Sequence, residues 1–145
     1  MYNLPAPDLR PEFYANVAPK RLGAWLVDTV LIFGLTLLGV IFTAFLGALI
    51  FPLLYLATNV AYRTVALGRW SATPGMMLFS IEFRDATGHK LDVRTAFLHT
   101  ITYTGCMLVF PLQILSIALM LLTARGQSLG DHLLQTVALN RPSRL

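Results

Sequence analysis

Residues 22–62 read LGAWLVDTVLIFGLTLLGVIFTAFLGALIFPLLYLATNVAY, a run of 41 residues with one charge, Asp28. As a single helix this run would be about 62 Å long, twice the roughly 30 Å hydrocarbon core of a bilayer. It therefore predicts two membrane helices, at 20–43 and 47–66, turning near Phe45-Leu46-Gly47. Pro19 suits a first helical turn, where its missing N–H costs little. Gly39, Thr43 and Gly47 stand four apart, as do Ala44 and Ala48. Small residues at that spacing let helix backbones approach closely in lipid. The reading is packing within the chain, with a dimer face as the alternative.

Outward from this block the same character recurs. Residues 95–124 are 30 residues without a charge, so two runs hold 71 of the 145 residues. The whole chain is 56% hydrophobic and 12% charged, with a mean hydropathy of +0.65. Soluble domains carry about 25% charged residues. The chain is read as an integral membrane protein. Its second run, as one helix, would be about 45 Å long and steeply tilted, and Pro111 interrupts its hydrogen-bond ladder. The Lys and Arg positions are 10, 20, 21, 63, 69, 84, 90, 94, 125, 141 and 144, none inside either run. If both runs are hairpins, every positive charge falls on one side, which is cytoplasmic by the positive-inside rule. If the second run crosses once, Arg125, Arg141 and Arg144 lie outside. The hairpin is favoured, with arms at 95–110 and 111–125, the first short, re-entrant or interfacial. Both termini are then cytoplasmic, in a plasma or inner membrane.

Between the runs, Phe79-Ser80-Ile81-Glu82-Phe83-Arg84 alternates with period two, the mark of a half-buried strand. Asp85-Ala86-Thr87-Gly88 offers turn chemistry, and His89-Lys90-Leu91 is read as the return strand of a cytoplasmic β-hairpin. Thr136-Val137-Ala138-Leu139 is a candidate third strand, and Asp92 an N-cap for the helix after it. The expected fold is an all-α membrane protein: a transmembrane helical hairpin, this small β-hairpin, then a Pro-broken helical hairpin. Residues 1–18, with four prolines and balanced charges, read as a flexible or surface-lying lead-in and not a cleaved signal. Residues 19–141 are the membrane domain and 142–145 a tail.

Asp28 is the most informative side chain. It follows Arg21 by seven residues on nearly the same helix face, about 10 Å deeper. A carboxylate on a membrane helix costs about 2.5–3.5 kcal/mol at the bilayer centre, and seldom faces lipid. It must have a partner, a wet cavity or a proton. Arg21, Asn59, Tyr62 and Arg63 are the candidates, because an antiparallel second helix returns residues 59–63 to that depth. Two readings stand: an ion or proton site, or a structural anchor. In the hairpin topology Asp131 returns to Arg21's side of the membrane, so an Arg21–Asp131 pair is expected; a single crossing would separate them.

Other signals are weaker. A net charge of +4 and a pI near 9.6 suit nucleic acid in principle, but the cations border apolar runs and mark the lipid bilayer as the partner, with no nucleic acid. Cys106 is the single cysteine, which excludes an intrachain disulfide or a Cys-based zinc site. The histidines lack the i, i+4 spacing of a zinc helix; His89, His99 and His132 read as surface or interfacial, with His99, which shares a helix face with Tyr103, also a candidate partner of the polar site. Trp25, Trp70, Tyr62 and Tyr103 fit an interfacial aromatic belt. Gly126-Gln127-Ser128-Leu129-Gly130 matches a nucleophile-elbow pattern, but that elbow needs a large parallel sheet, so the stretch reads as a helix-exit turn. No cofactor or metal is expected.

The ordered set of motifs resembles one known family. Lys20-Arg21-Leu22-Gly23-Ala24-Trp25-Leu26-Val27-Asp28 is similar to the first-helix signature of the RDD family, named for one arginine and two aspartates. Thr73-Pro74-Gly75-Met76 resembles its loop motif and Phe83-Arg84-Asp85-Ala86-Thr87-Gly88 its turn. The run from Gln127 to Val137 resembles its closing motif. The resemblance covers about 18–141 and implies that the three named residues are Arg21, Asp28 and Asp131. It also implies a small polytopic membrane domain, with transport of unidentified ligands suggested for members. Met76 stands where many members have a basic residue, Gln135 where glycine is common, and His99 near a position often held by arginine.

Two functions follow as expectations, the first slightly preferred and the second its alternative. One is transport of a small solute or ion, with Asp28 as the intramembrane polar site. Four short segments cannot enclose a pathway alone, so this requires a homo-oligomer or a membrane-protein partner. The other is a non-catalytic scaffold or accessory subunit in which Arg21, Asp28 and Asp131 are structural. An enzyme is not expected, since no nucleophile–base pair or metal set is present.

Overall fold

The computed structural model describes residues 4–141; the tail at 142–145 and the first three residues of the lead-in lie outside the described residues. Helix α1 spans Val17–Phe42 and α2 spans Phe51–Trp70. The chain between them turns through left-handed Ala44 and Phe45 into a short 3₁₀ turn, Leu46–Ile50. Both helices belong to segments long and apolar enough to cross a membrane. The pair is antiparallel: Phe33 meets Phe51 edge to face, and Asp28 meets Tyr62 farther down. The small-residue stripe is used inside the chain, for Leu54 packs onto Gly39 and Gly47.

Helix α1 is inverted relative to a soluble helix. Its buried positions Ala24, Asp28, Ile32, Thr36 and Val40 recur every fourth residue and are mostly small or polar, while Leu26, Val30, Leu31, Phe33, Leu37 and Ile41 face outward. The same holds for α4 (Val93–Leu108) and α5 (Phe110–Leu122), which bury His99, Thr100, Thr104 and Ser116. Such a surface suits a hydrocarbon solvent, where the interior is the only place for polar side chains.

Asp92 caps α4 as expected, accepting from the Thr95 N–H at 2.8 Å. Between α4 and α5 the axis bends by 117° at Val109, and Pro111 occupies the first turn of α5. At 16 and 13 residues the arms are about 24 and 20 Å long, each shorter than the roughly 30 Å hydrocarbon core.

The β-hairpin expectation is corrected. Strand β1 is Ile81–Arg84, but it pairs antiparallel with β2, Val137–Asn140, in the register Ile81↔Asn140 to Arg84↔Val137. Residues 89–91 form no strand. The turn residues instead close on themselves: the Asp85 carboxylate accepts from the Thr87 N–H, the Thr87 hydroxyl and the His89 N–H. The chain then drops Leu91 into the core, its N–H donating to Ser71 Oγ at 2.6 Å. The third-strand candidate thus supplies the true partner of β1.

The lead-in docks on this sheet. Leu4, Phe13 and Tyr14 pack on Val137 and Leu139, and Asn140 donates to the carbonyls of Glu12 and Ala15. Short helices α3 (Pro74–Leu78) and α6 (Leu129–Leu134) complete this end of the molecule. Its main apolar core is here and not between the long helices, built from Val17, Leu67, Met76, Ile81, Phe83 and Leu91 among others.

Candidate functional site

The polar interior is organised around two carboxylates. Asp28, only 1% exposed, projects from α1 against the N-terminus of α3. Thr73 caps α3, taking the Met76 N–H on its Oγ1. Its hydroxyl donates to Asp28 Oδ2 at 2.5 Å, while the Gly75 N–H and the Tyr62 hydroxyl donate to Oδ1 at 2.9 and 2.8 Å. All three donors are uncharged. Gly75 is the residue that makes the approach feasible: a Cβ there would lie 2.3 Å from the Ala24 carbonyl oxygen and 2.8 Å from Asp28 Oδ1.

Asp131 is fully buried. It sits in α6, where it forms a reciprocal capping box with Ser128: the Ser128 N–H donates to Oδ2 at 2.9 Å and Ser128 Oγ accepts from the Asp131 N–H. Arg21 Nη1 reaches Oδ2 at 2.5 Å, His99 Nε2 lies 2.7 Å from Oδ1, and the Thr136 hydroxyl donates to Oδ1 at 3.1 Å. The Arg21 guanidinium also stacks over the Phe83 ring at 5.2 Å, and that ring packs on His99 at 4.5 Å. Burial alone would raise the Asp131 carboxyl, but the Arg21 charge and the His99 contact outweigh it and hold it well below the usual carboxylate range.

A third cluster joins α1, α2 and α4. Trp25 Nε1 donates to the Tyr103 hydroxyl at 2.7 Å. Arg63 covers the Tyr103 ring at 4.2 Å, donates through Nε to Asn59 Oδ1 at 3.1 Å, and lies 3.4 Å from the Tyr103 hydroxyl through Nη2. Asn59 Nδ2 passes the chain on to Thr104. A cavity of about 620 Å³ opens between these groups, touched by Arg21, Asp28, Arg63, His99 and Tyr103 among mostly apolar walls that also carry Thr, Ser and Gln side chains. A second hollow of about 430 Å³ lies beyond Arg63, bordered by Trp25, Phe51, Tyr55 and Met107.

Of the four side chains expected beside Asp28, Tyr62 alone bonds to it; Arg21 goes to Asp131, and Asn59 and Arg63 to the Tyr103 cluster. The Arg21–Asp131 pair forms as expected. His99 is not a surface residue: it is buried against Asp131, and so joins the polar site as a partner. The aromatic belt is likewise corrected for Trp25, Tyr62 and Tyr103, whose polar tips point into these networks; Trp70 is 44% exposed. Ser128 serves as a helix cap. Thr73, Gly75 and Thr136 were not anticipated as carboxylate donors. A Thr before Pro-Gly is a capping signal, but nothing local tells which distant acid it will meet. Among the described residues no three His, Cys, Asp or Glu side chains gather as metal ligands.

A model of the RDD family matches residues 15–135, most of the chain. No curated protein and no solved structure matches it.

Proposed function

This chain belongs to the RDD family, and from that premise we propose that it is a non-catalytic membrane module whose Arg21, Asp28 and Asp131 anchor its helices around an internal cavity. The observation that carries this reading is the saturation of both carboxylates. Asp28 accepts from three fixed donors, and Asp131 from Arg21, His99, Thr136 and Ser128. Buried acids so occupied hold elements together, and removing one partner of such a set is far more costly than its net worth. Asp28 ties α3 to the α1–α2 hairpin; Asp131 ties α6 and α4 to the start of α1.

In the orientation proposed here both apolar blocks are hairpins, and the eleven Lys and Arg residues lie on or toward the cytoplasmic side of a plasma or inner membrane, Arg63 within the α2 span. The Arg21–Asp131 contact supports it, since it joins the entry of the first block to the exit of the second.

A second reading, transport of a small solute or ion by an oligomer, is favoured by one feature: Asp28 borders the 620 Å³ cavity. Two substitutions separate the readings. Asp28→Asn keeps an acceptor for Gly75 and Tyr62 and removes the charge; Asp28→Ala removes every acceptor. As an anchor, Asp28→Asn accumulates and folds while Asp28→Ala does not, and neither wild type nor Asp28→Asn moves Na⁺, K⁺ or H⁺ across reconstituted vesicles. A wild-type flux that disappears in a folded Asp28→Asn protein would establish transport instead.

A further inference from the structure

Arg63 is a cation of this interior that belongs to neither carboxylate set. It lies in α2, inside the Leu46–Trp70 segment that is apolar enough to cross a membrane. Its contacts are an amide oxygen, a phenol and an aromatic face. No carboxylate among the described residues pairs with it, whereas Arg21 is neutralised by Asp131 and Arg84 by Glu82. A guanidinium carries five N–H donors, and Arg63 directs only Nε and Nη2 to protein acceptors. None of its nitrogens is sealed away without a partner, so its remaining N–H groups are accessible, and Arg63 borders both hollows. An intramembrane cation without an anion is expensive and marks a place where one belongs.

The surroundings state what kind of anion. The 430 Å³ hollow runs from Arg63 and Asn59 along Tyr55, Phe51 and Leu108. Phe51 and Leu108 stand at the far ends of α2 and α4, next to the outward-facing Val109 and Phe110. The hollow is thus charged at one end and mostly apolar along the rest. We propose that Arg63 anchors the oxyanion of an anionic amphiphile, whose hydrocarbon chain lies in the hollow between α1, α2 and α4. The shared chemistry is a carboxylate or phosphate oxygen pair on the guanidinium fork, with an acyl chain attached. This rests on the membrane placement proposed above, but not on whether the module moves anything.

Trp25 borders both hollows and is a built-in reporter once Trp70 is replaced by Phe. The full-length Trp70→Phe protein is reconstituted in phosphatidylcholine discs and titrated with bromine-labelled chains, whose bromines quench a neighbouring indole. The arms are a brominated fatty acid, a brominated phosphatidylglycerol and a brominated phosphatidylcholine. Both acidic probes, or one of them, should quench at a mole fraction lower by on the order of tenfold than the neutral probe, the worth of one charge-assisted contact. The arms then tell a free fatty acid from an acidic phospholipid. Arg63→Gln should abolish the preference, Arg63→Lys should keep part of it, and exposed Arg94→Gln should leave it whole. Equal quenching by acidic and neutral probes, or a preference that survives Arg63→Gln, overturns the proposal. So does competition by inorganic phosphate as strong as by the acidic lipid, since the chain would then contribute nothing. Failure of the anchor reading appears separately, as an Asp28→Ala protein that melts like wild type. Should Arg63→Gln not fold, the acidic-to-neutral ratio of the Trp70→Phe protein decides alone.

Discussion

Replacing Gly75 with Ala adds one methyl group at the contact between α3 and α1. The new Cβ would lie 2.3 Å from the Ala24 carbonyl oxygen, a backbone atom of α1, and 2.8 Å from Asp28 Oδ1. An ordinary carbon–oxygen contact is about 3.4 Å, so α3 must retreat by roughly 1 Å. That retreat stretches the Gly75 N–H bond to Asp28 from 2.9 Å and strains the Thr73 bond beside it. Overpacking costs about 1–3 kcal/mol, and losing one hydrogen bond to a charged group about 1.5–3. The sum, roughly 2.5–6 kcal/mol, lowers the melting temperature of a domain this size by about 5–24 °C, taking about 2–4 °C per kcal/mol. The assay is thermal unfolding of the purified protein in one detergent, with Gly34→Ala as control. Gly34 has no neighbour within 4 Å of an added Cβ, so the control should be neutral or gain up to about 1 kcal/mol of helix propensity. If Gly75→Ala melts within about 2 °C of wild type, then Asp28 is not held by the Gly75 approach and the anchor argument is wrong.

Two further outcomes follow from Asp131. Arg21→Gln leaves its buried charge without the main counter-ion and should cost about 3–5 kcal/mol, read as failure to accumulate folded protein; normal accumulation would remove the pair from the anchor set. The folded carboxyl titrates below its unfolded value, so its contribution to stability is whole above about pH 3.9 and is lost as pH falls further, toward the folded value. The acid limb of a melting-temperature profile should therefore steepen below about pH 4 and flatten in Asp131→Asn; an unchanged limb would count against the pairing.

How much of this was readable in advance differs by element. The apolar runs, the break at Pro111 and the Asp92 cap are local signals, since hydrophobic runs, proline and capping chemistry act within a few residues. The Arg21–Asp131 pair was also legible, because the hairpin topology left a buried acid and an entering arginine on one side. Strand β1 announced itself by its alternation, yet a period says nothing about which distant strand will pair. Asp85 to Gly88 had hairpin-turn chemistry, and its carboxylate spent those hydrogen bonds within the turn. The donors of Asp28 failed for the same reason: Thr73 and Gly75 lie 45 and 47 residues away, and the nearest cations looked the better partners. Arg63 went instead to Tyr103 and Asn59, and Trp25, Tyr62 and Tyr103, assigned to a lipid belt, turned their hydroxyl and indole N–H groups inward. In a hydrocarbon solvent the polar tips of aromatic residues are as strong a pull to the interior as their rings are to the interface.

The account stands on both apolar blocks returning to the face where Arg21 meets Asp131. The direct measurement is site-specific thiol labelling in sealed, inside-out and right-side-out membranes, using single cysteines placed in a Cys106→Ser background. Thr87→Cys in the Asp85 turn and Ala124→Cys after α5 should both react only from the cytoplasmic side, with Leu49→Cys in the α1–α2 turn protected from it. Thr87→Cys and Ala124→Cys reacting from opposite sides would contradict it.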